Sequence, residues 1–207
     1  MTTVRRPPPE RTPRPLFRVL PADTKLVRIF NPKPYAATPL TFRTFGPFER
    51  FDHQKRQNGL PCDNPARGIY YAGFTLSCCV VETFGETGVI ECGDYFAART
   101  GLKRRVRLLD LRGNGAMRAG SIAALMSVPT RRLSQVWSRY FYASPLFKNM
   151  DGLLYTNAHN EEESVALYER AADALECGPA DSLPLNDPAL RTYLQEVAIR
   201  SNLDGPF

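Results

Sequence analysis

Apolar and polar positions along this chain fall into short blocks of two different periods, separated by stretches rich in proline and glycine. KLVRIF at 25–30 alternates as a half-buried strand does and is halted by Asn31-Pro32-Lys33-Pro34, whose prolines cannot continue a ladder. ARGIYYAG at 66–73 reads as another strand, ending at Gly73. Thr75 is placed to cap an apolar helix, LSCCVVETF, with Gly85 or Gly88 as its stop and Glu82 in its last turn. RVRLLDL gives a further strand running to Asp110, followed by a glycine-rich turn and a short helical stretch, SIAALMSV. In TRRLSQVWSRYFY the residues Leu133, Val136, Trp137 and Tyr140 recur at helical spacing and should face the core. A strand from Leu153 to Thr156, a polar turn, the apolar segment SVALYER and an amphipathic helix, ALRTYLQEVAIRS, complete the pattern. No internal repeat interrupts it.

Two stretches lack either period. Residues 1–22 carry prolines at 7, 8, 9, 13, 15 and 21, which remove backbone donors, so they read as an arm rather than a folded element. The segment 35–64 is loop-rich, and a long irregular stretch inside a compact domain is more often functional than accidental. The arm at 1–22 and a domain over 23–207 are the expected organisation, since 207 residues with 43% hydrophobic content suffice for one sizeable core.

The formal charge of +6 is partly local, because Arg5, Arg6, Arg11 and Arg14 face only Glu10 within the arm. Neither interleaved basic and aromatic residues nor a helical reader is present, which argues against nucleic-acid binding. The densest basic run, KRRVRLLDLRG at 103–113, reads as a strand whose arginines meet water. Cysteines 62, 78, 79, 92 and 177 are odd in number and lack paired spacing; with no secretory segment or spanning apolar run, a soluble cytoplasmic protein with free thiols is expected. His53 and His159 are too few for a metal site and are expected at the surface, as is the acidic turn Glu161–Glu163. Trp137 is expected to be packing.

The chemistry concentrates between Arg28 and Glu82. An arginine grips a pyrophosphate with two parallel hydrogen bonds, a tyrosine face stacks on a flat heteroaromatic ring, and a carboxylate stabilises positive charge that develops on a sugar. Arg28 at the end of a strand, Arg50 in a loop, Tyr71 in a strand and Glu82 in an apolar helix supply those types in order. A glutamate in so apolar a helix needs a partner, and burial beside an arginine would leave it ionised and poised. Arg50 could instead pair with Asp52.

These residues, with Arg28 in VRIF, Arg50 in GPFERFD, Tyr71 in GIYYAG, Glu82 in VVETFG and the stretch SQVWSRYFYASPLFKNMDGLLYTNAH, resemble the RES domain family over about residues 25–175. Asp151, Gly152, Leu153 and Tyr155 fall on the family's Asp-Gly-Ile-x-Tyr-x-Ser motif, and Asn157 stands where that motif has its serine. The resemblance implies an α+β fold, a mixed and mostly antiparallel sheet flanked by helices, like that of ADP-ribosylating toxins. It further implies a toxin of a toxin-antitoxin pair that destroys NAD by phosphorolysis or hydrolysis, with inorganic phosphate as a co-substrate in the first case. Glu82, Arg50 and Arg28 would be catalytic, and Tyr71, Asn157 and Tyr155 would bind substrate. NAD is then substrate rather than cofactor, and the implied partners are a small antitoxin protein and further copies of the chain. A non-catalytic binding module and a protein ADP-ribosyltransferase are the other readings left open.

Overall fold

The computed structural model describes residues 3–206. Its elements are β1 (Phe17–Leu20), β2 (Lys25–Phe30), β3 (Phe45–Gly46), β4 (Cys62–Asp63), β5 (Ile69–Gly73), α1 (Leu76–Phe84), β6 (Phe96–Leu102) and β7 (Val106–Asp110). There follow α2 (Gly115–Arg118), α3 (Arg131–Ala143), β8 (Gly152–Thr156), β9 (Glu163–Tyr168), β10 (Leu175–Glu176), β11 (Ser182–Pro184) and α4 (Pro188–Ser201). A nine-stranded sheet runs in the order β1-β7-β8-β9-β5-β2-β6-β10, with β11 also on β6. Only β7 and β8 are parallel, so the sheet is mixed and mostly antiparallel.

Alternation along the strands separates two cores. Leu153 and Tyr155 of β8, Ala166 and Tyr168 of β9 and Ile69 of β5 pack with Trp137 and Phe141 of α3 on one face. Leu154, Val165, Leu167 and Tyr70 point to the other face with Leu26, Leu102 and Leu108. A third cluster joins Val80, Val81 and Phe84 of α1 to Leu194 and Val197 of α4. Full burial of such side chains stabilises by about 1.5–3 kcal/mol each.

Between β2 and β5 the sheet comes apart. The two strands share one register pair, Val27 with Gly73, while β2 pairs fully with β6 and β5 with β9. The loop-rich segment lies at this opening, held by the Arg43–Ile69 bridge and the small β3–β4 hairpin.

Several expectations are corrected. The stretch 1–22 is not without a folded element, since Phe17–Leu20 pairs with β7; the part before it lies on the body, where Arg14 N–H donates to the Arg118 carbonyl at 2.8 Å and Trp137 Nε1 donates to the Arg5 carbonyl at 2.8 Å. Its extended backbone leaves carbonyls free for partners, so proline content did not prevent docking. Strand β6 was not foreseen, because FAARTGL is rich in alanine and glycine and is buried on both sides, which erases the alternation. On α3, Trp137 is buried as expected and Leu133 and Tyr140 pack half-buried on the core edge, but Ser134, Gln135, Ser138 and Phe141 are buried as well and Val136 is only half-buried. His53 is fully buried, stacked 4.4 Å from both Tyr142 and Tyr168, with Nε2 3.0 Å from Glu169. Glu162 is no free acid: it accepts from Thr75, from Ser77 at 2.7 Å and from Asn160 at 2.6 Å.

Candidate active site

The site is built where β5, β9 and β8 present one face to α1 and to the 47–54 segment. In register, Gly73, Ser164 and Tyr155 form one row across these strands, and Tyr71, Ala166 and Leu153 form the next. Gly73 must lack a side chain, since a Cβ there would stand 2.8 Å from the Cys78 sulfur. That close approach seats α1 on the sheet. Thr75 caps the helix as expected, its hydroxyl accepting from Cys78 N at 2.9 Å, and Gly85 ends it.

Glu82 is not a buried residue. It is exposed on α1 beside the 157–162 turn, and its Oε1 accepts from Ala158 N at a long 3.4 Å. The protein packed around this exposed carboxyl still desolvates it in part and pushes its pKa above the ordinary glutamate value, against the opposing influence of His159, the Ala158 amide and Arg50. Arg50 lies in the field of Glu82 without forming an ion pair; its Nη1 donates to the Val128 carbonyl at 2.7 Å. Nor does Arg50 pair with Asp52.

Asp52 has another set of partners. Fully buried, it accepts both Nη2 contacts of Arg43 at 2.8 Å, the amides of Phe48 and Glu49 at 2.6 and 2.8 Å, and the Tyr71 hydroxyl at 2.9 Å. Burial works against the Arg43 cation, but the Asp52 carboxylate raises its pKa overall. Tyr71 also accepts from Phe51 N at 3.0 Å, so its hydroxyl is committed to the loop while its half-buried ring stays on the sheet face shared with Leu153 and Ala166. Phe51 meets Tyr155 edge-on at 4.7 Å between ring centroids. Burial raises the pKa of both Tyr71 and Tyr155 well above the ordinary phenol value, so both rings are neutral walls.

Helix α3 grips the same segment from behind. Gln135 Nε2 donates to the Glu49 carbonyl at 3.1 Å, and Ser138 Oγ donates to the Phe51 carbonyl at 2.6 Å. The peptides on either side of Arg50 are thus fixed by buried side chains.

Asn157 is buried and turned inward. Its Oδ1 accepts from His159 N and Asn160 N at 3.0 and 2.9 Å; its Nδ2 donates to Asn160 Oδ1 at 2.6 Å and to Cys78 Sγ at 3.3 Å. It builds the turn that carries Ala158 to Glu82. Ser164, whose Oγ is 3.0 Å from Cys78 Sγ, is the buried hydroxyl on this face. Burial raises the thiol pKa of Cys78 and of Cys79, which keeps both as neutral packing groups.

Arg28 stands apart from these. Its guanidinium donates to the Thr41 carbonyl at 2.6 Å and lies 4.5 Å over the Tyr70 ring, on the opposite side of β5 from Tyr71. Burial lowers its pKa, and the nearby charge of Arg43 adds to the effect. The structure therefore groups Arg50, Tyr71, Glu82, Tyr155 and Asn157, and sets Arg28 at the sheet opening. Arg43, Gln135, Ser138 and Ser164 were missed as site residues. A buried acid at Asp52 had one legible signal, its place directly after Arg50-Phe51; the others had none without contacts.

Among the described residues no group of His, Cys, Asp and Glu is arranged to hold a metal ion, and no helix is long and apolar enough to cross a membrane.

Comparison with known proteins gives two findings. The family model described as RES domain matches residues 25–186. A solved structure, the MbcT-MbcA toxin-antitoxin complex of M. tuberculosis, contains a chain with the same fold at a TM-score of 0.56 and 12% identity, covering 86% of this chain and 92% of that one. No curated protein matches significantly in sequence.

Proposed function

The chain belongs to the RES family, and from that membership we propose that its cleft breaks the bond between nicotinamide and ribose in NAD, as the toxin of a toxin-antitoxin pair. The observation that carries this reading is the separation of opposite charges: Glu82 and Arg50 lie in one another's field yet do not form an ion pair. A dinucleotide needs both, a cation for its pyrophosphate and an anion for the sugar that turns oxocarbenium-like as its cationic base departs.

In this proposal the nicotinamide, already a good leaving group, needs no proton. Arg50 binds phosphate oxygens with the guanidinium face not used on Val128, and Arg28 does so from the sheet opening. Tyr71 and Tyr155 flank the base, and the Glu82 carboxylate hydrogen-bonds the ribose and stabilises its charge. Asn157 works through the turn that it builds. Phosphate or water then attacks the anomeric carbon, and bond making and breaking at that carbon need only positioning and electrostatics.

The test is NAD consumption by the purified chain with and without inorganic phosphate. Glu82→Gln, with folding verified, should lose activity by at least about 100-fold, the scale of one lost electrostatic stabiliser; full activity in that variant would sink the assignment. Phosphate-dependent loss identifies a phosphorylase, and phosphate-independent loss a hydrolase. The fully committed side chain of Asn157 favours one second reading, a binding module that has lost turnover. An inactive parent rescued by Asn157→Ser would establish that reading.

A further inference from the structure

Next to the cleft, the 45–60 segment leaves large apolar side chains in solvent: Phe45 at 43% exposure, Phe48 at 43% and Leu60 at 68%. The rings of Phe45 and Phe48 are 5.7 Å apart. Arg56 links them to the turn of Leu60, because its Nη2 donates to the Pro47 carbonyl and its Nη1 to the Gly59 carbonyl, each at 3.3 Å.

Further arginines reach the same segment. Arg67 donates to the His53 carbonyl at 3.0 Å, and Arg139 reaches the Gln54 carbonyl at 3.5 Å, so both guanidiniums lie over the same loop. Arg132 and Arg139 are seven positions apart on α3 and share one of its faces. Among the described residues none of Arg56, Arg67, Arg132 and Arg139 meets a carboxylate, whereas Arg43, Arg99, Arg104, Arg112 and Arg131 all do. Burial lowers the pKa of Arg139, and repulsion from Arg56, Arg67 and Arg132 adds to it, so these four guanidiniums lie in one another's field, while Glu49 of the segment is paired with Arg131.

Exposed aromatic and aliphatic knobs rimmed by arginine have the composition of a protein contact rather than of idle surface. Two other occupants fit less well. A second copy on a two-fold axis would set these arginines against themselves. Single-stranded nucleic acid needs free ring faces for base stacking. Here Tyr142 carries Arg67 and Arg170 over its ring at 4.6 and 4.2 Å, and Phe48 is packed by Phe45 and Arg43.

We propose that the 45–60 segment, with Arg56, Arg67, Arg132 and Arg139 around it, is the docking face for a protein partner that presents an apolar side chain flanked by carboxylates. Such a partner would act on the cleft directly. The amides of Phe48 and Glu49 both rest on Asp52, which also holds Tyr71, so displacing Phe48 loosens the support of Tyr71 and of the adjoining Arg50. The docking face stands whichever reaction the cleft performs.

The test is selection of a displayed random-peptide library on the folded full chain, followed by anisotropy titration of the winning peptides. The targets are the parent, Arg56→Glu/Arg139→Glu, Leu60→Ser and, as a control in the exposed β6–β7 turn, Arg105→Glu, with NAD turnover measured in parallel. The expected winners carry Asp or Glu around a Leu, Phe or Trp. Their affinity should fall roughly tenfold or more in the double variant and in Leu60→Ser, and hold in Arg105→Glu. Absence of enrichment, winners without acidic residues, or equal weakening in Arg105→Glu would overturn the proposal. Tighter binding of a single-stranded oligonucleotide at the same arginines, or self-association abolished by Leu60→Ser, would overturn it in favour of those occupants. Because peptide binding and NAD turnover are separate readouts, an inactive cleft leaves the docking result intact.

Discussion

Asp52 gathers the guanidinium of Arg43, the amides of Phe48 and Glu49 and the hydroxyl of Tyr71 in a place without solvent. Removing it strands a half-buried cation and several donors at once. Asp52→Ala should therefore cost about 3–5 kcal/mol, the scale of a broken buried pair, read as a lowered midpoint in urea unfolding. Glu82 presents the contrary case. Its carboxyl pKa is raised by partial desolvation, so the folded state holds its proton more tightly than the unfolded chain does. That contribution is fully present below the ordinary glutamate value and is lost as pH rises through the folded one. At neutral pH Glu82→Gln should thus melt no lower than the parent while losing turnover, which differential scanning calorimetry and an NAD assay would separate. A large fall in Tm would mean that Glu82 is structural.

At the scale of elements, α3 is amphipathic in an unusual sense: the side it buries includes Ser134, Gln135 and Ser138 beside Trp137 and Phe141. Apolar spacing pointed at Leu133, Val136, Trp137 and Tyr140, of which Trp137 is buried and Leu133 and Tyr140 pack on the core edge; it missed the serines and Gln135 because it cannot see that the helix packs partly on a loop whose carbonyls require donors. Ser138→Ala removes the 2.6 Å bond to the Phe51 carbonyl. The expected loss of stability is about 1 kcal/mol; for the proposed NAD reaction, KM should rise more than kcat falls, since the Arg50 segment loses an anchor rather than a charge. An unchanged KM would separate α3 from ligand binding. The capped helix α1 behaved differently, because Thr75, Gly85 and the apolar run between them are local signals that tertiary contacts did not override.

For the molecule as a whole, the N-terminal stretch is a strap. Removal of residues 1–15 uncovers the edge of the core where Val4 packs and strips the indole N–H of Trp137 of the Arg5 carbonyl. The chain has one tryptophan, so its emission should shift to the red and Tm should fall by several degrees, and an unshifted spectrum would show the strap to be dispensable. Stability should also depend on pH through His53. Burial lowers its pKa, so the unfolded chain takes up a proton that the folded state refuses, and stability falls as pH drops from the ordinary value of about 6.5 towards the lower folded one. Glu169, whose pKa is lowered on balance by its bonds from His53 and Tyr142 against the cost of burial, keeps its contribution until pH falls through its own depressed value. Urea midpoints across pH should show both windows, and His53→Gln should erase the upper one and narrow the lower one, because Glu169 loses its bond from His53. By itself the sequence determined what is local or ordered along the chain: strands β2, β5, β7 and β8, the caps of α1, the helices α3 and α4, and the succession of Arg50, Tyr71, Glu82 and Tyr155. Tertiary structure alone decided the rest, because contacts between distant segments leave no period in a sequence. It joined Asp52 to Arg43, turned Asn157 into its own turn, buried His53, set Arg28 on the far side of β5, and opened the sheet between β2 and β5 where the loop could enter.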